Sequence, residues 1–287
     1  MKPPSPERAR GVWTAVHLPP IAPRTRRLVP LILTGVILAF AALDAAVVLP
    51  LSLTYHGGVA VGMDFGIYMD RTHDWLAGDG FYRSRQLTGL PYEIQNGDSF
   101  YPPTMIYLLV PFALGLPAVL WWLIPFAIIA AALIHIRPPM WTWPIMAFSL
   151  LLPRAPLVLI LGNPSLWMIA AAFAGVAWAW PAVLLLLKPT LVPFALIGIR
   201  RRSWWIALGV LVLLSLPFGA MWFDYGTALL NAQNSRGLEY TLGEWPLMLA
   251  PLAAWLGASL RSGGRLQVTE ELPEARRRVD TRSEPPS

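Results

Sequence analysis

A chain of 287 residues that is 56% hydrophobic and only 13% charged, with 14 tryptophans, is not an ordinary soluble domain, whose charged share is about a quarter. A net charge of +6 points weakly to nucleic acid, but the basic residues gather beside apolar stretches, as orientation signals do, and no nucleic-acid module lies between them. The absence of cysteine excludes disulfides, thiol catalysis and Cys-based metal sites.

The segment 1–27 carries Lys2, Arg8, Arg10, Arg24, Arg26 and Arg27 against Glu7 alone, with several prolines, and reads as a basic cytoplasmic tail. From about Leu28 to Pro50 an apolar run is long enough to cross roughly 30 Å of hydrocarbon, and the pattern predicts an uncleaved first helix. A polar segment, 53–101, follows. No Asp, Glu, Lys or Arg occurs from Tyr101 to Ile136, which predicts two short helices turning at Gly115-Leu-Pro117. Met140 to Leu152 predicts a further short or re-entrant segment. Ala155 to Leu187 is uncharged and broken at Gly162-Asn-Pro164 and Trp180-Pro181, so a helix pair meeting near Trp180 is expected, its second member ending at Arg200-Arg-Arg202. Ser203 to Phe223 reads as one clean span, Asp224 to Glu244 as a second polar loop, and Trp245 to Leu260 as a last short span. The charged, Pro- and Ser-bearing tail 261–287 reads as disordered.

The expected architecture is all-α: a polytopic transmembrane helical bundle over 28–260, with six to eight spans and both termini cytoplasmic. The 53–101 segment holds Asp64, Asp70, Asp74, Asp79, Glu93 and Asp98 against Arg71, Arg83 and Arg85, so it lacks the positive excess of a cytoplasmic loop and is placed outside. Ionisable groups at a membrane boundary are functional candidates. Asp64 opens an Asp-Phe-Gly-Ile-Tyr stretch that puts Ile67 and Tyr68 on its own face if helical, with Asp70 about a third of a turn away. A carboxylate there can serve as general base for an acceptor hydroxyl attacking a sugar carbon; the plainer alternative is a solvated acidic residue. Asp70 is a substrate-binding candidate, or with Asp74 a carboxylate pair on a solvated face. Tyr68, Tyr82, Tyr101 and Trp75 offer surfaces to a sugar or isoprenoid chain, or form an interfacial aromatic belt.

Lys188 stands alone in an apolar run, where it must reach water or meet an anion; a donor phosphate and simple snorkelling explain it equally well. Arg71, Arg83 and Arg85 are alternative phosphate contacts. His73 is within reach of Asp70 or Asp74, and His56 is incidental. The four histidines have no zinc spacing, so no catalytic metal or cofactor is expected. Asp44, inside the first apolar run, pairs with a polar group or is protonated.

Four separated elements, Asp64-Phe-Gly-Ile-Tyr68 with Trp75-Leu-Ala-Gly78 and Phe81-Tyr82, Phe100-Tyr-Pro-Pro103, Leu161-Gly-Asn163, and Leu187-Lys-Pro189 followed by Arg200-Arg-Arg202-Ser-Trp-Trp205, occur in an order that resembles the family 87 glycosyltransferases. The likeness covers roughly residues 30 to 225. It implies an integral-membrane enzyme of the GT-C type, multi-pass in a bacterial plasma membrane, with Asp64 as catalytic base on the extracytoplasmic side. It further implies a polyprenyl-phosphate sugar donor, with mannose the family's usual sugar, inversion at the anomeric carbon, and a glycolipid or glycan acceptor. Asn163 aligns with the Gln of the family's Gly-Gln-x-Asn segment, and Pro164 stands where that motif has a spacer. The region after Phe223 is shorter than the family provides. A non-catalytic polyprenyl-lipid-binding relative and a small transporter are the alternatives, although a transporter would more usually have repeated broken helices.

Overall fold

The computed structural model describes residues 61–88, 97–152, 154–232 and 244–260. The basic tail 1–27, the first apolar run with Asp44, the positions of His56 and Glu93, the stretch 233–243 of the second polar loop and the tail 261–287 lie outside the described residues. Within them all regular secondary structure is helical.

Helix α1, Met63–Ala77, lies between two glycines in the left-handed conformation, Gly62 and Gly78, and the Gly78 N–H turns back onto the carbonyls of Asp74 and Trp75. It buries Tyr68, Met69 and Thr72, so the acidic segment is an amphipathic helix with one face against the core. The short α2, Ser84–Leu87, follows and buries Gln86. After Tyr101 the prolines 102 and 103 start a 3-10 turn that runs into α3, Ile106–Ala113, and α4 covers Leu120–Ile136. The turn expected at Gly115-Leu-Pro117 is there, with Gly115 at positive φ.

Helix α5, Trp143–Leu151, and α6, Arg154–Leu161, form a pair bent by 68°. The central element is α7, Ser165–Trp178, buried over most of its length through Leu166, Met168, the alanines 170–172 and 174, Phe173 and Gly175. Small side chains let neighbours approach closely: a Cβ on Gly175 would lie 2.7 Å from that of Ala182. Helix α4 and the 3-10 stretch Trp180–Leu187 pack on it. The second member of the pair expected around Trp180 is therefore not a continuous α-helix. It is a 3-10 stretch, then a 3-10 turn at Pro189–Leu191, one α-helical turn, α8 (Val192–Ala195), and a further 3-10 turn at Leu196–Gly198. Prolines at 181, 189 and 193 remove backbone donors and restart the helix each time.

The expectation of one clean span from Ser203 to Phe223 is corrected. Helix α9, Arg202–Ser215, and α10, Met221–Ala232, meet at 95°, broken by a turn containing Pro217 and a Gly219 at φ 25°. The stretch read as a second polar loop is helical over its first part: Asp224 sits in the first turn of α10, which buries Tyr225, Ala228 and Asn231. Hydropathy does not register these backbone effects, which one proline and one glycine decide. The last helix, α11, spans Trp245–Leu260.

Among the described residues no single helix is long and apolar enough to cross a membrane; the two bent pairs qualify by length and composition, and the other apolar helices are shorter. The all-α class stands. Large apolar side chains nonetheless face outward along α9 and its bend, including Ile206 (68% exposed), Leu213 (66%), Leu216 (65%) and Phe223 (80%).

Candidate functional site

The site is assembled where α6 ends and α7 begins. Helix C-termini leave carbonyls without intrahelical donors. Here the Trp122 indole donates to the Leu159 carbonyl at 2.7 Å, the Gly62 N–H to Ile160 at 2.8 Å, and the Trp121 indole to Gly162 at 2.8 Å. The Gly62 bond fastens the start of α1 to the end of α6, and the two indoles fasten α4 to the same place. Gly162 has φ +69°, and a Cβ there would lie 2.8 Å from Trp122 Cζ2 and 3.0 Å from Phe65 Cβ, so only glycine fits without displacement. Asp64 and Asn163 are brought face to face across this junction.

Asn163 Nδ2 donates to Asp64 Oδ2 at 2.7 Å. The orientation of the amide is fixed from its other end, since Asn163 Oδ1 accepts from the Ser165 N–H at 2.9 Å and lies 2.6 Å from Ser165 Oγ. Tyr101, buried to 4% exposure, directs its hydroxyl toward the same oxygen at 3.4 Å. Its backbone carbonyl accepts from the Tyr82 hydroxyl at 2.7 Å, and its ring meets Tyr68 edge-on at 5.2 Å between centroids.

Lys188 reaches the cluster from the junction of two 3-10 segments. Pro189 restricts the preceding residue to extended geometry, and Lys188 adopts φ −132°, ψ 104°. Its ammonium donates to Tyr101 Oη at 3.0 Å, to Ser165 Oγ at 2.7 Å, and to Glu244 Oε1 at 2.5 Å, with Glu244 Oε2 equally close. Side-chain exposures of 14% and 15% put the Lys188–Glu244 pair largely out of water. The residue next to Glu244 is anchored, because the Trp245 indole donates to the Thr190 carbonyl at 2.8 Å, two residues past Lys188. Ser165 Oγ also lies 3.0 Å from Glu244 Oε1. Its one proton therefore serves either Asn163 or Glu244.

The half-buried Asp64 carboxyl is held above its ordinary range, first by removal from water; the Asn163 hydrogen bond and the Lys188 charge oppose this, and the Glu244 charge adds to it. Tyr101 is likewise pushed well up, chiefly by burial, and stays a phenol at any ordinary pH. Chemically, the cluster is a carboxylate with one oxygen tied to an amide, beside a cation shared by a carboxylate, a hydroxyl and a phenol.

Of the seven site residues read from the sequence, Asp64, Tyr101, Asn163 and Lys188 converge here, and Tyr68 contacts the cluster through Tyr101. Tyr82 does not enter it; the side chain is buried between Phe81 and Tyr225 and supports the Tyr101 backbone. Asp70 is exposed, on the part of α1 turned from the core. The alternative phosphate contacts are engaged elsewhere, Arg71 with Asp74 at 2.6 Å, Arg85 with Asp98 at 2.6 Å, and Arg83 packed over Gly97. His73 Nε2 lies 2.9 Å from the Ala113 carbonyl and ties α1 to the end of α3. Ser165 and Glu244 were missed. Ser165 follows directly on Gly162-Asn-Pro164, a positional signal, whereas Glu244 ends a polar stretch in which an acidic residue carries no signal of its own.

An apolar groove of about 780 Å³ opens between the end of α1, α3 and the α9–α10 bend, lined by Trp75, Ile106, Tyr107, Val110, Phe218 and Met221 among others. The segment that carries Tyr101 into the polar cluster continues as the wall of this groove. The chain matches no protein-family model, and comparison with curated proteins and with solved structures finds no match.

Proposed function

We propose that this is an integral-membrane glycosyltransferase that moves a hexose, by resemblance mannose, from a polyprenyl-phosphate donor to a hydroxyl of a glycolipid or glycan, with Asp64 as the base. The observation that carries the reading is the Asp64–Asn163 pair set beside the Lys188 ammonium, because Asp64, Tyr101, Asn163 and Lys188, far apart in sequence, meet in one hydrogen-bonded cluster. All four belong to the sequence elements that carry the family resemblance. The outward-facing apolar residues of α9 and the two bent helix pairs support a lipid setting, and the groove beside Tyr107 and Phe218 suits an isoprenoid tail.

In this mechanism the acceptor hydroxyl oxygen bonds to the anomeric carbon as the carbon–oxygen bond to phosphate breaks, and the bonding pair leaves with the lipid phosphate. Asp64 takes the hydroxyl proton on the oxygen that Asn163 does not occupy. Lys188 stabilises the charge that develops on the departing phosphate. Asn163 and Ser165 are positioning residues: they fix which carboxylate oxygen is free.

The test is transfer of labelled mannose from a short-chain polyprenyl-phosphate donor by the purified full chain in lipid. Asp64→Asn keeps a partner for Asn163 and is expected to reduce turnover by about 10²–10⁴-fold, the usual contribution of a general base. Unchanged turnover removes Asp64 from the mechanism. Retained donor binding with no transfer by the unaltered chain to any acceptor favours a non-catalytic lipid-binding protein.

A further inference from the structure

An ammonium group has three N–H donors, and Lys188 spends them on Tyr101, Ser165 and Glu244. It has none to offer a newcomer. An incoming phosphate oxygen bonds this lysine only by replacing a partner, and the three are not equal. Tyr101 is buried, its backbone held by Tyr82, and Ser165 is the first residue of the buried α7. Glu244 is the one anion among them. Were it to stay, its carboxylate and a phosphate would share one cation while Asp64 stood nearby, three acids against a single base in a site shielded from water.

We infer that Glu244 is an exchange residue: it neutralises Lys188 while the site is empty and gives the ammonium up to the phosphate of a polyprenyl monophosphate or phosphodiester when the lipid binds. The inference rests on the proposed role of Lys188 as phosphate partner and adds a direction to it. Substituting one singly charged anion for another leaves the site's net charge unchanged as a sugar donor enters. After transfer the leaving group is a monoester, which carries up to one further negative charge near neutral pH. The returning carboxylate then competes with product, so Glu244 serves release as well as entry. The Trp245 indole bonded to the Thr190 carbonyl keeps the backbone in place, so only the Glu244 side chain has to swing.

The experiment is titration of the full chain in lipid nanodiscs with farnesyl monophosphate, read as a dissociation constant and as a rise in Tm, with no sugar present. Glu244→Gln is expected to tighten binding by about tenfold or more, since it removes the competing charge. Lys188→Met is expected to weaken binding, and Gln at 244 to add no gain in that background. Equal or weaker binding by the Glu244→Gln chain, with binding still dependent on Lys188, overturns the exchange and leaves the phosphate role of Lys188 standing. Absence of Lys188-dependent binding in every variant, the unaltered chain included, removes both. Inorganic phosphate distinguishes the source: a gain with both ligands supports exchange at the headgroup, and a gain with inorganic phosphate alone overturns the lipid as occupant. Should Gln at 244 impair folding, Glu244→Asp shortens the carboxylate's reach and is expected to give a smaller tightening; none overturns the inference.

Discussion

Gly162→Ala tests whether the α6–α7 junction sets up the site. The residue sits at φ +69°, where a side chain costs roughly 1–2 kcal/mol in backbone strain alone. The new methyl would lie 2.8 Å from Trp122 Cζ2 and 3.0 Å from Phe65 Cβ, both below ordinary contact. Trp122 cannot swing freely, because its indole is bonded to Leu159, and Phe65 is wedged between Trp121, Trp122 and Phe112. Overpacking of this kind adds about 1–3 kcal/mol, so the expected loss is about 2–5 kcal/mol. Phe65 is the neighbour of Asp64 and Gly162 that of Asn163, so the strain falls on both ends of that hydrogen bond. Reversible unfolding in mixed detergent measures the stability, and the same substitution in a Trp122→Leu background separates the steric part. A loss below about 0.5 kcal/mol, or an equal loss in both backgrounds, refutes the packing argument.

Three further outcomes follow from the geometry. Because the folded-state pKa of Asp64 is raised, its contribution to stability is fully present below the ordinary carboxylate value and lost as pH rises through the folded value. At neutral pH Asp64→Asn is therefore expected to match or exceed the unaltered chain in Tm, with the advantage shrinking as pH falls toward the ordinary value; a Tm deficit at neutral pH contradicts this. Asn163→Ala removes a hydrogen bond that favours the ionised carboxylate, so the acidic limb of the kcat/KM profile should move to higher pH, and Glu244→Gln should move it lower. An unmoved limb in both removes Asp64 as the titrating group. Ala220→Trp, at an exposed position lining the groove, should raise KM for a long-chain lipid donor several-fold while sparing a donor with a truncated chain; equal effects on both place the tail elsewhere.

The site was more legible than the fold because its members are polar residues stranded in apolar surroundings. Lys188 is alone in its run, Asn163 interrupts another beside a glycine and a proline, and Asp64 begins an amphipathic helix. Each is costly in place unless partnered, and that cost is visible in the sequence. Glu244 was not legible as a partner, since it ends a polar stretch in which an acidic residue is unremarked, and its ally lies 56 positions earlier. Asp70 attracted a role through proximity in sequence, yet six residues along α1 turn it away from the face that Tyr68, Met69 and Thr72 bury. The bend at Gly219 and the 3-10 stretch after Trp180 escaped because apolar content reports where a segment is buried and not how its backbone is hydrogen-bonded.

Ser165 has one hydrogen and two carbonyl-type acceptors within reach, the Asn163 amide that steers Asp64 and the carboxylate that clasps Lys188. Turning a single O–H bond thus changes which half of the cluster is better satisfied, and a hydroxyl rotor needs picoseconds to nanoseconds and no backbone displacement. The Asp64–Asn163 half and the Lys188–Glu244 half are coupled through a torsion, so a change of charge or partner at one is felt at the other before any helix has to move.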